Sequence, residues 1–266
     1  MNDLFQKLFS LAGKTALITG ASGGIGRVLA VAFAEAGATL GVHGTNSTRI
    51  SDTGRLIDKK QGHYVPLQCE LARKEDCENL VARAHRELGR LDILVNCAGT
   101  NRRKPIREVS GEDFDHLVAV NLRSVFFLCK AAHPIMRDQG GGKIVNIGSV
   151  SSTDGLGGVS VYGATKAGVA QLTKTMALEW AKDNIQVNCL APGFMHTPLT
   201  EQGLWGDLHR KQWLLDRIPM RRPGKPDELV GAALLLASEG SSYLTGQIIN
   251  VDGGYLAGGS WLRDDE

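Results

Sequence analysis

The chain alternates short apolar runs with longer segments of helical periodicity, and this alternation constrains the fold more than any other feature. Strands that alternate with helices predict a parallel sheet covered by helices on both faces, because each parallel connection crosses back over the sheet. The strand-like runs lie at 15–19, 39–43, 64–68, 92–96, 143–147, 185–190 and 247–251. Helical patterns lie between them, among others at 28–36, 75–88 and 114–136. Pro134 falls inside the last of these patterns and is expected to bend or end that helix.

The size of the chain, 266 residues, suits one α/β domain over 1–266, since there is no internal repeat or linker-like change in composition. A count of 30 basic against 28 acidic residues gives a net charge of +2, which argues against a nucleic-acid partner. No segment is apolar for long enough to span a membrane, and the N-terminus lacks the apolar core of a signal peptide.

The five cysteines are an odd number with no CxxC motif and no metal-ligand spacing. Such cysteines are typical of a reducing compartment. We therefore expect a cytoplasmic protein with reduced thiols and no bound metal. The cysteines are Cys69, Cys77, Cys97, Cys129 and Cys189.

A glycine-rich stretch, TGASGGIG, follows the first predicted strand at 19–26. Gly20, Gly24 and Gly26 allow a tight strand-to-helix turn and let the backbone approach a pyrophosphate at the helix N-terminus. The spacing is G-x-x-x-G-x-G, so by itself the stretch fits either a nucleotide site or a structural turn. Its position after the first strand of a βαβ pattern favours the nucleotide site.

Tyr162 and Lys166, in the motif YGATK, are four residues apart in a helical pattern and share one face. An ammonium group close to a phenol favours the phenolate, which makes Tyr162 a candidate general acid or base. Ser149 follows the strand-like run KIVNI, at a strand end that faces the ligand crevice of a parallel sheet. Its hydroxyl can share a substrate oxygen with Tyr162. Taken alone, the pair could also be a surface tyrosine beside a surface lysine without a catalytic role.

These motifs, in this order and spacing, resemble those of the short-chain dehydrogenase/reductase family from about Leu11 to Leu256. The resemblance implies a single-domain, Rossmann-like, doubly wound parallel sheet of about seven strands with helices on both faces, a nicotinamide cofactor and no metal. The features that carry it are TGASGGIG, NCAG at 96–99, Asn121, Ser149, YGATK at 162–166 and PGFMHT at 192–197.

The resemblance also implies a catalytic set. Tyr162 would exchange a proton with the substrate, and Ser149 would hydrogen-bond the substrate oxygen. Lys166 would bind the nicotinamide ribose and favour the phenolate of Tyr162, while Asn121 would anchor a water that links Lys166 to solvent. Asn121 lies inside an apolar helical pattern, so a packing or helix-bending role stays open.

The cofactor site implied by the resemblance follows the carboxyl ends of the strands. Two residues depart from the family pattern: Cys97 takes the second position of the NNAG motif, and Glu70 stands where Asp is frequent. The implied cofactor-binding residues are Gly20, Ser22, Gly24, Ile25, Gly26, Thr45, Asn46, Glu70, Leu71, Asn96, Ala98, Gly99, Tyr162, Lys166, Pro192, Gly193 and Thr197.

The choice between NAD and NADP depends on the end of the second strand. No acidic residue stands at 40–51 to bind the adenosine ribose hydroxyls, as one does in NAD-selective members. Thr45 and Asn46 can instead hydrogen-bond a 2′-phosphate. However, Gly23 occupies a position where NADP-selective relatives often carry Arg. We expect NADP to be favoured, with NAD or dual use still open.

Three consecutive cations, Arg102, Arg103 and Lys104, follow the NCAG turn, in a segment that leads towards the substrate in this family. The stretches NRRKP, KIVNIGS, ALEWAKDNIQVN, RRPGKPDELVG and YLTGQIINVDGGYLA resemble the branch of gluconate 5-dehydrogenases and 2-deoxy-D-gluconate 3-dehydrogenases. This implies an anionic sugar or sugar acid as substrate, with its carboxylate on Arg103. Alternatively, all three cations are solvated. The implied substrate-binding residues are Arg103, Ser149, Ser151 and Tyr162.

By the same analogy, residues 198–220 would form a substrate lid, and the last strand would pair across subunits of a homotetramer. Three other functions compete. A 3-oxoacyl-[acyl-carrier-protein] reductase would share the catalytic motifs, prefer NADPH and use the cations to dock an acidic carrier. A sulfo-sugar would suit the cations as well as a carboxylate does. A non-enzymatic nucleotide-binding protein is disfavoured, since Ser149, Tyr162 and Lys166 are all present.

Overall fold

The seven predicted strands all form in the computed structural model, which describes residues 3–259. They join one sheet in the order 3-2-1-4-5-6-7, and every neighbouring pair is parallel. Residues 1–2 and 260–266 of the predicted domain lie outside the described residues. The strands are β1 (Thr15–Thr19), β2 (Thr39–Gly44), β3 (His63–Gln68), β4 (Ile93–Asn96), β5 (Gly142–Ile147), β6 (Ile185–Pro192) and β7 (Ile248–Val251).

Helices cover both faces of the sheet, as predicted. The helices are α1 (Asp3–Phe9), α2 (Gly24–Glu35), α3 (Ser47–Asp58), α4 (Lys74–Leu88), α5 (Gly111–Val118), α6 (Ser124–Asp138), α7 (Ser160–Trp180), α8 (Pro198–Thr200), α9 (Leu208–Arg217) and α10 (Val230–Ala237). Apolar residues of α2, α3 and α10 form one core layer, and those of α4, α6 and α7 form the other. The central strands β1, β4 and β6 are buried along their whole length, which explains why they appear as continuous apolar runs.

The helical pattern at 114–136 is interrupted in the structure, but not at its proline. Helix α5 passes through a π-helical turn at Ala119–Arg123 into α6, which continues past Pro134 to Asp138. Of the two predicted effects of Pro134, a bend or an end of the helix, the second does not occur. Pro134 has no N–H to give to the carbonyl of Lys130, but both residues are exposed, so water can hydrate that carbonyl. Among the described residues, no helix is long and apolar enough to cross a membrane.

The strand order reverses between β1 and β4, and the turns that follow these two strands come into contact. A Cβ on Gly20 would lie 2.8 Å from Cα of Ala98, and Gly20 has a φ of +69°, so both space and backbone conformation require glycine. The hydroxyl of Thr19 accepts hydrogen bonds from the backbone N–H groups of Cys97 (3.0 Å) and Ala98 (3.1 Å). Ligands of doubly wound folds bind at such a reversal point.

His43, near the end of β2, fixes the turn after β1 to the end of β3. Its Nδ1 accepts a hydrogen bond from the N–H of Gly20, and its Nε2 donates to the carbonyl of Cys69, both over 3.2 Å. The neutral imidazole with its proton on Nε2 satisfies both contacts. Burial lowers the pKa of His43 from 6.5 to about 4, because desolvation disfavours the charged ring.

The fold should therefore lose stability as the pH falls from 6.5 to about 4, because in this range the unfolded chain protonates the imidazole and the folded chain does not. A shift of this size corresponds to about 3 kcal/mol in the free energy of unfolding. The His43→Asn variant keeps an acceptor for the N–H of Gly20 but has no group that titrates here. Urea unfolding at about pH 7.5 and about pH 4.5 should show a loss that is larger in the wild type than in the variant by roughly 2 to 3 kcal/mol. Equal losses would contradict the assignment.

Candidate active site

Helix α7 and the end of β5 bring Ser149, Tyr162 and Lys166 to one wall of a cleft. Lys166 is only 5% exposed, and its Nζ donates a 2.7 Å hydrogen bond to the carbonyl of Ile147, the last residue of β5. The same Nζ lies 5.8 Å from the centre of the Tyr162 ring. Ser149 Oγ accepts a 3.1 Å hydrogen bond from the N–H of Ser151, so its own proton can be donated to a ligand.

A second link fixes the loop after β5 to α7. Ser152 Oγ donates to the carbonyl of Lys166 over 2.9 Å and accepts from the N–H of Ser149 over 3.3 Å. One hydroxyl thus joins the backbone at Ser149 to the backbone at Lys166. The Ser152 side chain therefore helps to fix the backbone of Lys166 relative to that of Ser149.

Asn121 lies in the π-helical turn between α5 and α6 and is completely buried. Its Oδ1 accepts from the N–H of Thr100 over 2.9 Å, and its Nδ2 donates to the carbonyl of Thr100 over 2.8 Å. A Cβ on Gly99 would lie 3.4 Å from Asn121 Oδ1 and 3.7 Å from Lys166 Nζ, so these two side chains flank the turn after β4. Asn121 therefore lies in a distorted helical turn, which is the role that the sequence analysis left open, and it also lies beside Lys166.

The turn after β1 fits a dinucleotide pyrophosphate. Helix α2 begins at Gly24, and its first turn is made of glycine, isoleucine and arginine, so its free N–H groups stand at the cleft without a carboxylate beside them. A Cβ on Gly26 would lie 2.4 Å from the carbonyl oxygen of Gly20, and a Cβ on Gly44 would lie 2.5 Å from Ser22 Oγ. The close approach at Gly26 is therefore to backbone, whereas at Gly44 the neighbour is the Ser22 side chain.

The predicted residues for the adenosine end of the cofactor differ in their surroundings. Thr45 and Asn46 are exposed at the end of β2, where Asn46 Oδ1 accepts from the N–H of Arg49 over 3.0 Å and caps α3. Beyond β3, Glu70 is exposed and Leu71 is buried. Thr45 and Glu70 thus present side chains that take no part in the helix cap, and Asn46 keeps its amide nitrogen outside the cap.

The remaining cofactor candidates lie beyond β4 and β6. Asn96 Nδ2 donates to Asn146 Oδ1 over 2.8 Å, so its side chain joins β4 to β5. Pro192 ends β6, and a Cβ on Gly193 would lie 2.6 Å from Cα of Asp252. The N–H of Thr197 donates to Thr200 Oγ1 over 2.9 Å in the first turn of α8.

The cysteines do not carry reactive thiolates. All five are unpaired, and burial raises the pKa of each thiol to about 11 or 12. Cys97, in the turn beside the cleft, is among them, which agrees with a packed thiol without a redox role.

A cavity of about 540 Å³ opens beside Tyr162. All four predicted substrate residues line it, and the segment 198–220 covers its other side. Its polar and charged lining consists of Asn101, Arg103, Lys104, Ser149, Ser151, Tyr162, Thr200, His209 and Arg210. Its apolar lining includes Val150, Leu156, Val159, Phe194, Met195, Leu199, Leu204, Trp213 and Leu214.

The three consecutive cations are not equivalent. Arg102 Nη1 and Lys104 Nζ bind the two oxygens of Asp113 over 3.0 and 2.5 Å. The Lys104 ammonium, the hydrogen bonds with Ser110 and the Arg102 guanidinium together hold the pKa of Asp113 well below its usual range. Arg103 points to the cavity instead, and no carboxylate within residues 3–259 lies at ion-pair distance from it. Desolvation and repulsion by Arg210 lower the pKa of Arg103, which still stays charged at any ordinary pH.

The sequence analysis missed two charged residues around the cavity, Asp113 and Arg210. Asp113 was not considered, although Ser110 and Asp113 have the spacing of a capping box, and the structure shows both of its hydrogen bonds. The sequence analysis assigns no role to Arg210, which lies within the segment 198–220. No local pattern points to its cavity position, because this depends on how the whole segment packs over the cleft.

Comparison with known proteins agrees with this geometry. A family model described as enoyl-(acyl carrier protein) reductase matches residues 20–256. The 2-dehydro-3-deoxy-D-gluconate 5-dehydrogenase of Escherichia coli K12 is 42% identical over 94% of this chain and 98% of its own length. The gluconate 5-dehydrogenase of Gluconobacter oxydans is 40% identical over 93% and 96%. The 3-oxoacyl-[acyl-carrier-protein] reductase of Thermotoga maritima is 39% identical over 92% and 99%.

A solved structure shows the same fold with ligands. The gluconate 5-dehydrogenase of Burkholderia cenocepacia, in complex with NADP and tartrate, superposes with a TM-score of 0.91 at 37% identity and covers 96% of this chain and 99% of its own. The predicted fold and family are thus confirmed. The match of a family model over most of the chain, together with relatives of about 40% identity over nearly its full length, shows that the chain belongs to the short-chain dehydrogenase/reductase family of oxidoreductases.

Proposed function

We propose that this protein transfers hydride between a nicotinamide dinucleotide and a hydroxyl or keto carbon of an anionic sugar, with a gluconate-like sugar acid as substrate. The observation that carries the proposal is the charge of the cavity. Arg103 and Arg210 face it, and the lining that the structure describes contains no Asp or Glu. A carboxylate finds complementary charge there, and three of the relatives compared above are named for gluconate substrates.

The proposed roles of the catalytic residues follow from their positions. When bound, the nicotinamide supplies the hydride acceptor or donor. In the oxidative direction, a substrate hydroxyl between Ser149 and Tyr162 donates its proton to the Tyr162 phenolate and accepts a hydrogen bond from Ser149. Lys166, held at the carbonyl of Ile147, stabilises that phenolate by its positive charge. We propose that Asn121 anchors a water beside Lys166. The side chains of Asn121 and Lys166 both approach Gly99, which supports this role.

We propose that the cofactor lies along the residues predicted for it, with its pyrophosphate at the start of α2 and its nicotinamide between Tyr162 and Gly193. The preference for NADP stays a proposal. It is supported by the absence of acidic residues at 40–51 and by the NADP bound to the Burkholderia relative. The exposed Thr45 is the described side chain at the end of β2 best placed for a 2′-phosphate.

Residues 198–220 are proposed as a lid. Trp205, Leu214 and Ile218 form a small buried cluster separate from the two core layers, and Phe194 and Tyr255 from outside the segment pack against it. This separation from the core layers supports a segment that opens and closes over the cavity. Closure would exclude water from hydride transfer.

We further propose a homotetramer in the cytoplasm. The strand β7 is a half-exposed edge of the sheet, and Phe114 and Leu178 expose large apolar side chains, which supports association through these faces. The five unpaired thiols support a reducing compartment.

A 3-oxoacyl-[acyl-carrier-protein] reductase is the less favoured alternative. Two of the cations that would dock an acidic carrier, Arg102 and Lys104, are already paired with Asp113, and Arg103 lines the substrate cavity. A sulfo-sugar substrate would use the same cavity charge and is distinguished only by assay.

The proposed function is tested by initial rates of cofactor reduction with D-gluconate, 2-deoxy-D-gluconate and 2-dehydro-3-deoxy-D-gluconate, each with NAD and with NADP. We expect turnover of at least one acid, and higher kcat/KM with NADP. Sorbitol, a neutral polyol of the same length as gluconate, is the control and should not be turned over. Turnover of none of the acids would contradict the substrate class and lead to acyl thioester and sulfo-sugar assays.

Replacement of Arg103 tests the anion contact. Arg103→Gln removes a charge-assisted contact worth about 1.5 to 3 kcal/mol, so KM for the acid should rise roughly 10- to 100-fold. The matched control is Arg102→Gln, since Arg102 binds Asp113 and does not line the cavity. Equal effects of the two substitutions would show that Arg103 contributes only to the general surface charge.

Replacement of Tyr162 tests the proton transfer. Tyr162→Phe removes the hydroxyl but keeps the ring, so kcat should fall by about 10²- to 10⁴-fold while the Kd for NADP changes little. Fluorescence titration with NADPH measures the second quantity. A variant that retains more than about a tenth of the wild-type kcat would contradict the general acid/base role.

A further inference from the structure

Arg210 occupies an unusual position for a charged residue of the segment 198–220. It lies in the first turn of α9, lines the cavity beside Trp213, and its Nη1 donates a 2.7 Å hydrogen bond to the carbonyl of Gly203. Its neighbour Lys211 is exposed and does not line the cavity. Both residues are exposed at the surface, and of the two only Arg210 also lines the cavity.

The guanidinium of Arg103 reaches the same point from the body of the protein. A Cβ on Gly203 would lie 3.0 Å from Arg103 Nη1. The side chains of Arg103 and Arg210 thus meet on either side of Gly203, one carried by the loop after β4 and the other by the segment that covers the cavity. Two guanidinium groups so placed repel each other.

Neither charge is cancelled by a carboxylate in the cavity. The lining that the structure describes contains no Asp or Glu. The nearest acidic partner of Arg210 is Asp207, whose Oδ2 lies 3.6 Å from its Nε, beyond a normal hydrogen bond. Asp207 Oδ1 accepts from the N–H of Arg210 over 3.0 Å and so serves as the N-cap of α9. Its carboxylate is held outside the cavity, at the start of the helix.

We propose that Arg103 and Arg210 form a two-cation clamp, in which the carboxylate of the substrate is bound by both guanidinium groups at once. The inference rests on the proposed function and adds to it a specificity-determining residue, Arg210. A carboxylate has two oxygens and can accept hydrogen bonds from two guanidinium groups. An anion at this point relieves the repulsion between the body and the segment 198–220, whereas a neutral sugar leaves it in place.

The clamp gives the segment 198–220 a part in substrate selection. Because Arg210 moves with this segment and Arg103 does not, the segment closes fully only over an anionic group. The charge of the substrate is then recognised at the end of the cavity away from Ser149 and Tyr162. Acids and neutral polyols of equal length are thereby distinguished at the closing step.

The test compares Arg210→Gln with its matched control Lys211→Gln. With the acid that is turned over, KM of Arg210→Gln should rise roughly 10- to 100-fold, with a smaller change in kcat. Lys211→Gln should stay within about twofold of the wild type, and Arg210→Lys, which keeps the charge, should recover part of the loss. Removing one of two like charges should leave the melting temperature of Arg210→Gln at or above that of the wild type.

A binding measurement separates failure of the clamp from failure of the proposed function. Calorimetric titration of the protein with bound NADP uses tartrate as an unreacted dicarboxylate and erythritol as its neutral counterpart of equal length. We expect tartrate, but not erythritol, to bind, and to bind more weakly to Arg210→Gln. If no acid is oxidised but tartrate binding still depends on Arg210, the clamp stands and the substrate assignment fails. An unchanged KM in Arg210→Gln, or tartrate binding that is absent or independent of Arg210, overturns the clamp.

Discussion

The hydrogen bond between Lys166 Nζ and the carbonyl of Ile147 is the contact on which the rest of the site depends. It joins Lys166, in the second turn of α7, to the end of β5. The contact therefore fixes Tyr162 relative to Ser149. A buried ammonium needs an acceptor, and a strand-end carbonyl provides one without neutralising the charge. The positive charge therefore remains available to the phenol ring 5.8 Å away.

The distribution of charge around the substrate cavity follows a simple physical rule. A cation in close contact with a carboxylate contributes less to the field of the cavity than a cation whose carboxylate partner is more distant. Arg102 and Lys104 are paired closely with Asp113. Arg103 and Arg210 are therefore the cations that an anion in the cavity would contact.

Most of the fold could be predicted from the sequence, because strands buried on both faces leave an unmistakable alternation of apolar runs and helices. The cofactor turn and the Tyr162, Lys166 pair were also accessible, since their spacing is local. The exceptions are tertiary. The helix continues through Pro134, because Pro134 and Lys130, whose carbonyl loses its N–H partner, are both exposed. The position of Arg210 at the cavity depends on the packing of the segment 198–220. Neither fact leaves a pattern in neighbouring residues.

The most direct measurement is a crystal structure of the Tyr162→Phe variant with NADP and the sugar acid, in which turnover is slow enough for the complex to be observed. The account predicts the carboxylate between the guanidinium groups of Arg103 and Arg210, and the reacting hydroxyl within hydrogen-bond distance of Ser149 Oγ. A carboxylate in contact with neither guanidinium, or a hydroxyl away from Ser149, would contradict it.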